Sequence, residues 1–433
     1  MPKSLRLLFL LVLASGASCL AQTSTDLRVG FGEMQITPHN AGVPLAGYGS
    51  AARRTFPYIH RSEYATWFKP STGRHDPVRV KAMVLLEGQR KLVFLSFDLA
   101  AVTTEMYTEL QRILGSYGYP PDAVFISATH THSGPGTLSD RFLWELLAAD
   151  RFQPSYYSFV REVAVKTILD AEHSAHPAQL FAVSFSAQGM QRNRRHRDGW
   201  FDPTADLLLA KSTSGEWLGA LVNFAVHGTA LNAHNLELSA DLPGGIEREL
   251  QRQLNATVLF INGAEGDVSP AEGGFQGIDS LSRSFASQAM QALANAKPIQ
   301  PSWSVRTSTL QLGDPEVTLG ACLSPSWHRL IGNWIVLGLG ENVPRTITLS
   351  YLQLGDLRMF AWPGEPTTTL GFDLKRAAPG AWVLGLTNGY QGYFTSPGEF
   401  AEGRYEACSS LYGPQAGERI VRTFTDLVRK PLQ

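Results

Sequence analysis

Ser127-Ala128-Thr129-His130-Thr131-His132-Ser133-Gly134-Pro135 follows the apolar, β-type run Ala123 to Ile126, and three more polar clusters share that setting. Asn223-Phe224-Ala225-Val226-His227-Gly228 closes the run Leu218 to Val226. Asn262-Gly263-Ala264-Glu265-Gly266-Asp267-Val268-Ser269-Pro270 follows Thr257 to Ile261, and Trp362-Pro363-Gly364-Glu365-Pro366-Thr367-Thr368 follows Leu357 to Ala361. Loops leaving the carboxyl ends of strands in an open α/β sheet are where ligands bind. Four such loops carrying His, Asp, Glu and Ser are therefore expected to converge on one crevice.

Around these clusters, strand-like runs alternate with helix-period stretches. Strands are expected near Leu27 to Phe31, Val80 to Leu86, Leu92 to Phe97, Val124 to Ala128, Leu180 to Phe185, Leu218 to Val226 and Val258 to Ile261, with more after Val305. Helices are expected over Thr104 to Leu114, Tyr156 to His173, Gly244 to Leu254, Ile278 to Ala296 and Gly417 to Val428. No repeat period and no Pro/Gly/Ser-rich linker divides the chain. The expectation is one large α/β domain of mixed β-sheets covered by helices, over residues 22–433. Residues 38–76 break the rhythm, being rich in Gly, Pro, aromatics and Arg; they read as an ordered flap beside a site or as a surface loop.

The chain has 433 residues, 44% of them apolar, enough for a large core. A formal net charge of −1, with Arg192 to Arg197 the only basic knot, argues against nucleic acid as a partner. Lys3 and Arg6, the apolar run Leu7 to Leu13 and the small residues up to Ala21 read as a secretory signal peptide over residues 1–21, making the mature protein secreted or periplasmic. A rival reading acylates Cys19. Beyond the signal, no stretch holds the roughly 20 unbroken apolar residues that span a bilayer. Cys322 and Cys408 remain after cleavage, and the sequence leaves open whether they are bonded.

A fifth segment, Thr387-Asn388-Gly389-Tyr390-Gln391-Gly392-Tyr393, precedes Tyr405-Glu406-Ala407 and Leu411-Tyr412-Gly413-Pro414. In order, the five segments resemble the neutral/alkaline non-lysosomal ceramidases, from about Gly30 to Pro414. The resemblance implies the catalytic-domain fold of that family and a zinc-dependent amidase that cleaves ceramide, or a ceramide-like amphipathic lipid, to a sphingoid base and a fatty acid. It implies His130, His227, Glu365 and Tyr393 as Zn2+ ligands. His132, Arg194 and Tyr405 would surround the scissile amide, and Ser269 would lie beside the substrate's polar head. The chain departs from the family pattern at Ala271, where Asn is usual, and at Arg195-His196, where Ser-Pro is usual. The interval from Ser269 to Glu365 is shorter, and no immunoglobulin-like domain follows Pro414. A shallower acyl pocket is the expected consequence, with transient contact between protein and membrane surface.

Imidazole and carboxylate suit zinc, whose bound water has its pKa lowered toward about 7. On an extended chain His132 faces the same way as His130 and is assigned to the substrate carbonyl or to proton transfer. Arg194 and Tyr405 are assigned to charge stabilisation. Ser269 is assigned to head-group binding, with covalent catalysis the other option. Asp241 and Asp267 are candidate acceptors for the ligating imidazoles. Two rival readings stand beside this one. In the first, His130, His132, His227, His234 and Asp267 mimic the ligand order of barrel amidohydrolases. In the second, the fold is a non-catalytic lipid binder.

Overall fold

Alternate residues of each long strand go to different apolar cores, and this division organises the computed structural model, which describes residues 27–39, 42–55, 64–315 and 343–429. The signal segment, Cys19 and Cys322 lie outside those residues. In β1 (Leu27–Gln35), β2 (Arg79–Glu87), β3 (Arg90–Phe97) and β4 (Val124–Ala128), Val80, Ala82, Val84, Val93, Leu95, Phe97 and Ile126 face one way. They pack under the helices α1 (Thr104–Gly115) and α2 (Pro154–His173). Their neighbours Met83, Leu85, Leu92, Phe94 and Phe125 face the other way, into a central core. The same alternation runs through β5 (His176–Ser186), β6 (Thr204–Ser212), β7 (Trp217–Phe224) and β8 (Thr257–Asn262). There Leu207, Leu209, Val222, Val258 and Phe260 pack under α3 (Asp241–Leu254) and α4 (Gly274–Ala292), while Leu208, Leu221, Leu259 and Ile261 join the central core. A strand buried on both faces reads as a continuous apolar run, which is why these segments show so little polar alternation.

The sheet order is β8-β7-β6-β5-β1-β2-β3-β4, with β9 (Lys297–Ile299) added on β5. Pairs β3–β4 and β7–β8 are parallel and the others antiparallel. The two ends of this path meet: Ser96 of β3 donates to the Phe260 carbonyl of β8. A sheet open at both ends would hold the first and third polar clusters apart; the curled sheet brings them together. A second sheet, β10 (Trp303–Gln311), β11 (Thr346–Leu354), β12 (Leu357–Ala361) and β13 (Trp382–Leu384), adds Leu352, Leu354, Met359 and Trp382 to the central core. Its outer face packs on α5 (Thr368–Ala377) and α6 (Ala416–Arg429), which buries Ile420, Phe424 and Leu427 at helical spacing. The chain is thus an α/β domain of mixed sheets covered by helices.

β6, α5 and the short helix at Phe142 are elements that sequence periodicity did not reveal. The Leu-rich run Leu207-Leu208-Leu209 of β6 lacks the β-branched residues that separate a buried strand from a buried helix.

Candidate active site

Each polar cluster leaves the end of a strand, and the chain then turns sharply. After β4, His130 adopts the left-handed region (φ 65°), its N–H donating to the Leu99 carbonyl. Strain of this kind in a non-glycine residue persists only where the surroundings over-determine it. The His130 Nδ1 lies 2.6 Å from the Ala100 carbonyl, and the His227 Nδ1 lies 2.7 Å from the Glu265 carbonyl. Carbonyl partners assign the Nδ1–H tautomer to both rings, so both Nε2 lone pairs point inward. Asn262 locks the two loops together, its amide donating to the carbonyls of Thr129 (3.1 Å) and Val226 (2.9 Å).

Between those lone pairs sits Glu365. Its Oε2 is 3.2 Å from His130 Nε2 and 3.1 Å from His227 Nε2, fully buried and with no hydrogen-bond donor. Its other oxygen, Oε1, accepts from Tyr390 at 2.6 Å. The Tyr393 hydroxyl is 3.0 Å from His227 Nε2 and accepts from Arg194 at 3.0 Å. His132 Nε2 lies 3.2 Å from His130 Nε2, and the three imidazoles form a buried group able to hold a metal ion.

The electrostatics run the same way. Burial, with His130 and His227 alongside, holds the His132 imidazolium well below the usual range. Burial, with Arg194 nearby, lowers His227 to about 3. Burial by itself would raise the Glu365 carboxyl, but His130 and His227 beside it keep it well below its ordinary value. Burial raises the Tyr393 phenol well above its ordinary value, while Arg194 pulls the other way.

Imidazole nitrogens gathered around a buried carboxylate oxygen that accepts from no donor are arranged as the ligands of a cation would be. Donors held about 2.0 Å from a tetrahedral ion stand about 3.3 Å apart, close to the separations seen from Glu365 Oε2 to the two imidazoles. His130, His227, Glu365 and Tyr393 therefore fit a divalent metal. A cavity of about 90 Å³ opens on this group. At about 10–15 Å³ per water it holds a reacting group with several waters. Its walls include Leu99, Met106, Leu138 and Trp144, with Tyr405 also lining it.

A family model described as neutral/alkaline non-lysosomal ceramidase, N-terminal, matches residues 27–280. The chain belongs to this family. Its relatives include a neutral ceramidase of Pseudomonas aeruginosa, 23% identical over 92% of this chain and 71% of the relative. One from Mycobacterium tuberculosis is 24% identical over 93% of this chain and 76% of the relative. The solved structure of the Pseudomonas aeruginosa enzyme superposes with a TM-score of 0.78 at 21% identity, covering 94% of this chain and 76% of that one.

Within this ceramidase-family chain the residues expected from the sequence divide into three groups. His130, His132, His227, Glu365 and Tyr393 meet in one cluster. Arg194 and Tyr405 border it. The Arg194 guanidinium stands 5.6 Å from the Tyr393 ring centre and 5.4 Å from that of Tyr405, whose ring is edge-on to Tyr393 at 5.5 Å. Ser269 does not line the cavity; it pairs with Arg192 in a short antiparallel ladder between Val268–Pro270 and Gln191–Asn193.

Two expectations are corrected. Asp267 does not support an imidazole, because it accepts from Thr368 and Asn193; Asp241 accepts from the backbone of Ala230, Leu231 and Leu242. Carbonyls perform the role assigned to those two carboxylates. His234 is exposed and outside the cluster, which removes the barrel-amidohydrolase ligand order. Within the basic knot, Arg195 is buried and shares Glu406 with Arg194.

Sequence reasoning gave no role to Tyr390, Glu406, Tyr48 or Arg53. The last two come from the flap. Tyr48 packs edge-on to His132 at 4.6 Å, Arg53 donates to the His132 carbonyl at 3.1 Å, and a Cβ on Gly47 (φ 96°) would stand 2.5 Å from the His132 ring. Helix Arg404–Cys408 carries Tyr405 and Glu406, and Cys408 at its end is disulfide-bonded. A local signal for Tyr390 existed in the spacing Tyr390-Gln391-Gly392-Tyr393; Glu406 and Arg53 needed the fold.

Proposed function

We propose that the chain is an exported, zinc-dependent amide hydrolase that cleaves the N-acyl bond of ceramide or a ceramide-like lipid. The observation that carries this reading is the meeting of His130, His227, Glu365 and Tyr393 at one end of an apolar-walled cavity. The names of the relatives, neutral ceramidases, supply the substrate class. A zinc ion bound there would act as a Lewis acid and lower the pKa of a bound water.

The chain's own residues account for the rest. The apolar walls of the cavity receive the acyl chain. His132, whose Nδ1 has no hydrogen-bond partner, would accept and return the proton that must reach the leaving amine. Arg194, fixed by Glu406 and the Gly266 carbonyl, presents positive charge beside Tyr393 and Tyr405 where an oxyanion develops.

The test is a metal assay combined with a hydrolysis screen over N-acyl sphingoid bases, N-acyl amino acids and simple esters. About one zinc per chain and amide cleavage of the sphingoid substrates are expected, with His227→Ala losing most of the metal. Full zinc content in His227→Ala would sink the ligand assignment. Cleavage confined to esters would sink the substrate class.

A further inference from the structure

One eight-residue segment joins the cavity to the outer surface. Phe142–Trp144 starts a helical turn that continues as a π-turn through Glu145–Ala149, closed by the Asp150 N–H on the Glu145 carbonyl at 2.9 Å. Its inner face is Trp144, Ala148 and Ala149, which line the cavity. Phe142 and Leu147, five residues apart and so on one side of a π-type turn, are 55% and 44% exposed. Tyr405, another cavity-lining residue, is 57% exposed. Tyr117, Trp200 and Phe372 are the other exposed large apolar side chains among the described residues, so half of that set belongs to this one rim.

Two cations accompany it. Arg54 donates to the Gly49 and Leu146 carbonyls and to no carboxylate, and Arg151, next to the segment, is exposed with no side-chain partner among the described residues. Glu145 is the one carboxylate on the segment, and it accepts from the Phe152 N–H. Large apolar side chains flanked by arginines free of carboxylates form the pattern that settles into the headgroup region of a bilayer. A protein partner would need no such continuity with the apolar-walled cavity.

We propose that the Phe142–Ala149 rim is a docking surface for a phospholipid bilayer bearing anionic headgroups, with Phe142 and Leu147 entering the acyl boundary and Arg151 contacting phosphate. The proposal rests on the lipid-substrate reading above, since it makes the rim the route by which an acyl chain passes from bilayer to cavity without crossing water.

The experiment is sedimentation of the full-length protein with vesicles of phosphatidylcholine alone or of equal parts phosphatidylcholine and phosphatidylglycerol. The double variant Phe142→Ser/Leu147→Ser is expected to lower partitioning at least about tenfold on both, given about 0.8 kcal/mol per buried methylene. Arg151→Gln should weaken binding to the mixed vesicles only. Trp200→Ser/Phe372→Ser, the other exposed pair, should bind as the parent does. Hydrolysis of a water-soluble, short-chain N-acyl substrate without vesicles should be unchanged in the Phe142/Leu147 variant, which also shows that it folds. A parent protein that does not bind vesicles, or equal losses in the two double variants, would overturn the docking surface. Failure of the parent to cleave any amide would instead overturn the proposed function, because partitioning is read without turnover.

Discussion

Glu365 shows how much one neighbour can decide. Tyr390 donates to Oε1, so that oxygen is occupied and Oε2 alone faces His130 and His227. The Tyr390 ring also packs on Trp144 at 5.1 Å, tying the carboxylate's orientation to the cavity wall. Removing one hydroxyl in Tyr390→Phe should leave the fold intact and weaken metal retention by about 10–100-fold, the usual effect of losing a group that orients a ligand. Competition with a chelator measures this, and unchanged retention would show that Oε1 needs no donor. His130 and His227 were legible in the sequence as candidate ligands because each ends an apolar run. Tyr390 was legible only as part of a motif, since nothing local says which oxygen a phenol meets.

At the scale of elements, Asp150 is one of several points that hold the flap. Asp150, buried and itself in the left-handed region (φ 63°), accepts from the backbone N–H groups of Thr66, Trp67 and Phe68 and from Arg151. Through Thr55 on the Trp67 carbonyl and Lys69 on the Arg53 carbonyl, this anchor sets the stretch Gly47 to Arg53 against His132. Asp150→Ala should leave the N–H groups of Thr66, Trp67, Phe68 and Arg151 without this acceptor, a loss of about 1–3 kcal/mol for each group that water does not reach. It should also speed proteolysis of the flap and slow turnover by loosening His132. Melting, limited digestion and kcat measured together check it; a normal kcat beside a cleaved flap would separate the flap from catalysis. The sequence marked residues 38–76 as unusual, but which face they cover depends on a carboxylate more than 70 positions further on.

Across the whole molecule, the two halves of the sheet are joined through buried charge. Lys81 of β2 bonds Glu247 of α3 at 2.7 Å, and the other oxygen of Glu247 accepts from the Phe260 N–H of β8 at 2.7 Å. Lys81→Met should destabilise by about 3–5 kcal/mol, because Glu247 is left without its buried partner. Lys81→Met/Glu247→Leu should recover much of that, and a double variant no more stable than the single would refute the account. Asp206 gives a pH dependence. Burial raises its carboxyl to about 6, above the unfolded value of 3.8, so it keeps its proton in the fold after the unfolded chain has lost it. Its contribution to stability is fully present below pH 3.8 and falls as pH rises to about 6. Asp206→Asn should flatten that part of the stability curve, as followed by chemical denaturation; an unchanged curve would place the group's pKa elsewhere.

The sequence by itself determined that strands and helices alternate, that four polar loops end apolar runs, and which imidazoles and carboxylates those loops carry. Strand periodicity and turn chemistry are local, so they can be read from neighbours along the chain. The tertiary structure decided that the sheet curls until β4 and β8 meet, that carbonyls of Ala100 and Glu265 rather than Asp241 and Asp267 steer the imidazoles, and that Ser269 stands off the cavity. Those outcomes depend on which buried surfaces pack between segments 30 or more positions apart. Packing selects among contacts that local sequence leaves equally available.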